Sequence, residues 1–147
     1  MLGKSLLRKL LATVILLLSV STSVSQLHAA TSVALTKEES GEITLSAAKA
    51  LFDSNSACFV DARSEYVYYK SHIKGARSLS ESRFDEQFPD FKQKIPVEIL
   101  IVVYCSEPSC SKARYVANKL RKNGYKNVRV FSGGLIKWAH SGFPVEG

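Results

Sequence analysis

Cysteine and histidine are scarce in this chain, three of each in 147 residues, and no spacing among them matches a zinc or other metal-binding pattern. Three cysteines are also too few for a disulfide scaffold. Neither a metal nor a cofactor is expected. Nowhere does the chain hold an apolar run of the ~20 residues that cross a bilayer, and it carries no internal repeat and no low-complexity tract. Acidic residues are fewer than basic ones, 13 against 20. The basic excess clusters only at Lys119, Arg121, Lys122 and Lys126, unaccompanied by any nucleic-acid-binding motif. Such a cluster suits the solvated C-terminal end of a helix, where cations complement the dipole, so no nucleic-acid partner is expected.

What is present begins with a distinct leader. Lys4, Arg8 and Lys9 form a basic start, Leu10 to Val20 is apolar or small with only Thr13 and Ser19 interrupting, and Ser21 to Ala30 is small and polar. That layout is a secretory signal over residues 1–30, with cleavage expected after Ala29 or Ala30. The chain is then exported, periplasmic or extracellular, with no stable membrane span after cleavage; anchoring by an uncleaved leader is the alternative. No cysteine lies near the leader to accept a lipid. Residues 31–41 read as a linker and 42–147 as one domain, too short for a second core. Loss of the three leader cations lowers the net charge from +7 to +4. Thiols outside the cytoplasm tend to pair, and an odd number leaves at least one free or shared with a partner.

Within the domain, strands and helices alternate. Ile43 to Leu45 suggests a short strand, followed by a helix capped by Ser46 with Ala47, Ala50 and Leu51 on one face. Ala57 to Val60 is a buried strand delivering Asp61-Ala62-Arg63 to its end. A short helix spans Glu65 to Lys70, a strand Ala76 to Leu79, and a helix Ser82 to Phe88. Pro89 and Pro96 leave the next stretch without a clear assignment. Glu98 to Tyr104 is the plainest strand, with five consecutive apolar residues and no alternation, as expected when both faces of a sheet are covered. Ser111 to Lys122 is the plainest helix, with Ala113, Val116, Ala117 and Leu120 on one face and Asn123-Gly124 as its stop. A strand at Asn127 to Phe131 and a helix from Leu135 to Ser141 complete an α/β pattern with a central, mostly parallel sheet flanked by helices.

Ligands in such sheets sit at the carboxyl ends of the strands, where Asp61 and Cys105 both fall. Cys105 ends a strand and opens a loop that leads into a helix N-terminus, a setting that favours negative charge and hence the nucleophilic thiolate. Phe59-Val60-Asp61-Ala62-Arg63, His72-Ile73-Lys74-Gly75-Ala76, Val102-Val103-Tyr104-Cys105, Asn123 to Val128, and Gly133-Gly134 with Trp138 and Gly142 to Val145 occur in that order. Together they resemble the rhodanese-like family over nearly all of residues 42–146. The resemblance implies a small α/β domain with a catalytic cysteine, here Cys105, opening a six-residue loop to Cys110. It implies a sulfurtransferase that takes sulfane sulfur from a small anionic donor such as thiosulfate, holds it as a persulfide, and passes it to a thiol or cyanide-like acceptor. The amides of Ser106, Glu107, Pro108, Ser109 and Cys110 would line an anion cradle, with Ser111 capping the helix. The resemblance leaves the oligomeric state open.

The loop departs from the family pattern. Many active members carry glycine at the third residue after the cysteine and often arginine two positions on, where this chain has Pro108 and Cys110. Proline offers no N–H, and Glu107 sets a negative charge beside the cradle. The related Cys-x5-Arg loop of cysteine phosphatases and arsenate-type reductases would need arginine at Ser111. Cys110 is either a small packing residue or a resolving thiol, which makes a dithiol or polysulfide redox protein the second functional reading; a catalytically silent binding module is the third. Cys58 reads as inert core. Asp61 and Arg63 read as a structural pair, with anion holding by Arg63 as the alternative. His72 reads as structural, His140 as surface, and Trp138 as packing.

Overall fold

A computed structural model describes residues 41–147. The leader, its cleavage sites and residues 31–40 of the linker lie outside the described residues. Strand β1 (Glu42–Ile43) precedes helix α1 (Leu45–Asp53), strand β2 (Cys58–Asp61), helix α2 (Glu65–Lys70) and the short strands β3 (His72–Ile73) and β4 (Arg77–Ser78). A 3₁₀ turn at Glu81–Arg83 leads into α3 (Phe84–Lys94). Then follow β5 (Ile101–Tyr104), α4 (Lys112–Lys122), β6 (Val128–Phe131), α5 (Gly134–His140) and β7 (Val145–Glu146). Five strands form a wholly parallel sheet in the order β1-β6-β5-β2-β4. Gly41, at the end of the expected linker, already belongs to this unit, because its carbonyl accepts from the Val130 N–H at 2.8 Å.

Central β5 is apolar throughout because alternate residues serve two cores. Ile101, Val103 and Cys105 pack with Phe84 and Phe91 of α3 and with Ala113, Val116, Ala117 and Leu120 of α4. Val102 and Tyr104 pack with Ala48 of α1 and with Leu135 and Trp138 of α5. Both sheet faces are thus covered, as parallel strands require. The side chain of Cys105 therefore lies on the α3/α4 side of the sheet, and α5 lies on the other.

Two local expectations are corrected, and one pairing was not foreseen. The first helix is capped by Thr44, not Ser46: Thr44 has the extended backbone of an N-cap, and its hydroxyl accepts from the Ala47 N–H at 3.2 Å. The helix begun near Ser82 runs on through Pro89 to Lys94. Proline removes one intrahelical bond, but the helix is held by its aromatic stripe. Phe84 stacks on Phe88, and Phe88 and Phe91 meet Tyr125, whose hydroxyl donates to the Ile95 carbonyl at 2.7 Å. Third, β3 and β7 pair antiparallel as a two-stranded sheet, His72 facing Glu146 and Ile73 facing Val145. Strands of two residues are too short to leave a periodic signal.

The last helix braces the end of β5. Leu135 N–H donates to the Cys105 carbonyl at 2.8 Å and Ile136 N–H to the Ser106 carbonyl at 3.0 Å. Gly134 makes this approach possible. It has φ +64°, and a β-carbon there would lie 2.5 Å from the Ser106 carbonyl oxygen. Gly142 shares the positive φ, at +70°, but has open space around it. Gly134→Ala is therefore expected to cost at least ~2 kcal/mol more in urea unfolding than Gly142→Ala, because only the first adds a backbone clash to the conformational penalty.

Candidate active site

Cys105 is 3% exposed and follows directly on the C-terminal end of the central strand. The carbonyls of Cys105 and Ser106 are taken up by α5, and among the described residues there are no cis peptide bonds. A trans peptide sets its N–H opposite its carbonyl. The N–H groups of Ser106 and Glu107 are accordingly turned away from the start of α5. Among the described residues, neither of these N–H groups nor that of Ser109 has a hydrogen-bond acceptor. Pro108 has none to offer, and Cys110 N–H donates back to the Glu107 carbonyl at 3.1 Å, closing a turn. Of the amides expected to line the cradle, those of Ser106, Glu107 and Ser109 are the ones that keep an N–H without an acceptor among the described residues.

The start of α4 adds to the positive character of the site. Ser111 was expected to cap this helix, yet its side chain makes no capping bond, since its backbone is already helical (φ −74°, ψ −16°) instead of extended. The first-turn N–H groups are consequently left without a side-chain acceptor at the positive end of the dipole. Glu107, Pro108, Ser109 and Ser111 are exposed, Ser106 and Cys110 half-buried. Cys105 and Cys110 are joined as a disulfide with Cα atoms 6.2 Å apart. The loop therefore brings its two thiols within bonding reach.

Asp61 and Arg63 lie at the end of β2 and are both buried. Arg63 grips Asp61 through Nε and one terminal nitrogen at 2.6 to 3.1 Å, and that nitrogen also donates to the Ser71 carbonyl at 2.6 Å. Burial lowers the basicity of the guanidinium, but the hydrogen bonds and charge of Asp61 outweigh it and hold Arg63 more firmly protonated than usual. Tyr104 joins the group: its hydroxyl accepts from the Ile73 N–H at 3.0 Å and lies in the field of the Asp61 carboxylate. Burial, then the Asp61 charge, push the phenol's pKa far up, so it stays neutral. This network ties β2, β3 and β5 together on the face opposite the Cys105 side chain. Arg63 commits Nε and one terminal nitrogen to it.

The remaining candidates are dispersed. His72 stacks on Tyr68 and bonds the Tyr68 carbonyl through Nδ1 at 2.9 Å, while Nε2 faces Glu146 at 3.4 Å. Trp138 is fully buried among Phe52, Phe59, Phe131 and Phe143, its indole N–H donating to the Pro144 carbonyl at 2.9 Å. His140 is exposed. Cys58 starts β2 opposite Ile101, at the far end of the strands from Cys105, and burial raises its thiol pKa against the weaker pull of Arg77. Sequence reasoning missed Leu135 and Ile136, which act through backbone N–H groups; the Gly133-Gly134 pair ahead of a short helix was the available sign.

The profile of the rhodanese-like domain matches residues 44–141. A tRNA uridine(34) hydroxylase of Sodalis glossinidius is 37% identical over 109 residues, covering 66% of this chain and 29% of that protein. Arsenate reductase 2.1 of Oryza sativa subsp. japonica is 30% identical over 111 residues, covering 69% of each. The chain spans less than a third of the length of the hydroxylases it matches. Among solved structures, a Bacillus halodurans protein superposes with TM-score 0.68 and 26% identity, covering 77% of this chain and 81% of that one. A human single-domain sulfurtransferase superposes with TM-score 0.58 and 20% identity, covering 67% and 95%, which shows a common fold. With the profile covering well over half of its length, the chain belongs to the rhodanese-like domain family.

Proposed function

We propose that this protein is an exported sulfurtransferase that carries sulfane sulfur as a persulfide on Cys105. The observation that carries this reading is the setting of Cys105, at the end of the central strand, with α5 holding the carbonyls of the loop that follows and the loop N–H groups of Ser106, Glu107 and Ser109 left without acceptors among the described residues. Donors so arranged favour an anion at Sγ. The uncapped first turn of α4 supports the same charge.

The chemistry follows as two displacements. The Cys105 thiolate attacks the outer sulfur of a small anionic donor such as thiosulfate; the new S–S bond forms as the old one breaks, and sulfite leaves. The persulfide's terminal sulfur is again an anion and is held by the same N–H groups. A thiol or cyanide-like acceptor then attacks that terminal sulfur and Cys105 departs as thiolate, giving ping-pong kinetics. No histidine is needed, consistent with the structural placement of His72. Phosphoryl or arsenate chemistry of the Cys-x5-Arg kind is disfavoured because Ser111 stands at the arginine position. Asp61 and Arg63 act as positioning residues for the strand ends. Since a disulfide-bonded Cys105 has no thiolate, turnover begins from the reduced protein.

Intact mass of the reduced Cys110→Ser protein, in which no second loop thiol can take the sulfur off, is expected to rise by about 32 Da, one sulfur, after thiosulfate or polysulfide, and cyanide should release it as thiocyanate. Cys105→Ala should show neither. A Cys110→Ser protein that gains no sulfur from any sulfane donor would remove the proposal. Exposed Glu107 opposes an anionic donor, so Glu107→Gln should lower KM for thiosulfate by about 2- to 5-fold at low salt, fading as added salt approaches about 0.5 M.

A further inference from the structure

We infer that Cys110 is a second reacting residue, which converts the Cys105 persulfide into an intramolecular disulfide and expels the sulfur as sulfide. The inference rests on the persulfide reading above and extends it from sulfur transfer to sulfur reduction. Its basis is the Cys105–Cys110 disulfide, which spans five positions with the loop folded back on itself. The Glu107 to Cys110 turn returns the chain toward Cys105, and Pro108 sits inside it with its φ fixed in advance. The two residues that depart from the usual sulfurtransferase loop, Pro108 and Cys110, are thus the two that make a closed dithiol loop. Cys58 takes no part, being at the opposite end of the strands.

The steps balance. After sulfur loading, the Cys110 thiol gives up its proton and attacks Sγ of Cys105. The Sγ–Sγ bond forms, the bond to the outer sulfur breaks, and that sulfur leaves as HS⁻ with the electron pair. Two protein thiols are oxidised by two electrons while sulfane sulfur is reduced to sulfide. An external dithiol must then restore the pair. Cys110 is half-buried whereas Cys105 is 3% exposed, so the incoming thiolate attacks Sγ of Cys110. Cys105 is then the leaving thiolate, which its N–H surroundings favour. The second thiol of the dithiol resolves the mixed disulfide. The net reaction takes thiosulfate and a dithiol to sulfite, hydrogen sulfide and a disulfide. The partner is therefore a dithiol reductant, and the substrate class is sulfane sulfur destined for reduction.

The test is a single turnover of the full chain, reduced, freed of reductant and treated with thiosulfate. Wild type should release one sulfide per protein and settle about 2 Da below its reduced mass, the signature of the closed disulfide. Cys110→Ser and Cys110→Ala should instead retain the added sulfur and release no sulfide until cyanide removes it as thiocyanate. Cys58→Ser should behave as wild type. A wild-type protein that keeps its persulfide, or Cys110 variants that release sulfide as fast as wild type, would overturn the inference while leaving sulfur transfer intact. Failure of every variant to take up sulfur would overturn both.

Discussion

Two backbone hydrogen bonds organise the reactive end of this domain: the N–H groups of Leu135 and Ile136 on the carbonyls of Cys105 and Ser106. They decide which way two peptide planes face. With the carbonyls committed to α5, the N–H groups of the same planes are left without acceptors among the described residues. The rest of the architecture serves to keep α5 where it can do this. Trp138 is sunk among four phenylalanine rings and tied through its indole to Pro144, and the β7 strand that follows is paired with β3. Close steric requirements at the junction fall on Gly134, against the Ser106 backbone, and on Gly133, against the Phe131 ring.

On the other side of the strand ends, Asp61, Arg63 and Tyr104 form a closed polar cluster. Its charges are buried but mutually satisfied, so removing one partner would strand the other at a cost of about 3–5 kcal/mol. Such a cluster contributes little net stability but fixes one geometry. It joins β2 to β5 at Asp61 and Tyr104, which face each other in register, and reaches β3 through Ile73. The strand that presents the cysteine is therefore held from both faces and from its neighbour.

Much of this was legible in the amino-acid order, and what was not has identifiable causes. The unbroken apolar run before Cys105 and the Ala113/Val116/Ala117/Leu120 stripe carry strong periodic signals, and both elements form with small shifts at their ends. The helix through Pro89 was hidden because long-range packing on Tyr125 outweighs a local breaker. Thr44 and Ser46 are chemically equivalent caps, and only the backbone angle separates them. The failure of Ser111 to cap α4 has the same origin. The α5 brace had no side-chain signature at all, being made of main-chain groups. Whether Cys110 meets Cys105 depended on the path of the turn between them, a three-dimensional quantity that spacing leaves open.

The positions between the two cysteines, Glu107, Pro108 and Ser109, are all solvent-facing, and none belongs to either core. They sit on a frame whose tolerances are set elsewhere, by a glycine, two main-chain bonds and a buried ion pair. Natural selection can therefore rewrite these three side chains with little penalty in folding. The same scaffold can change what it recognises by exchanging a short surface cassette.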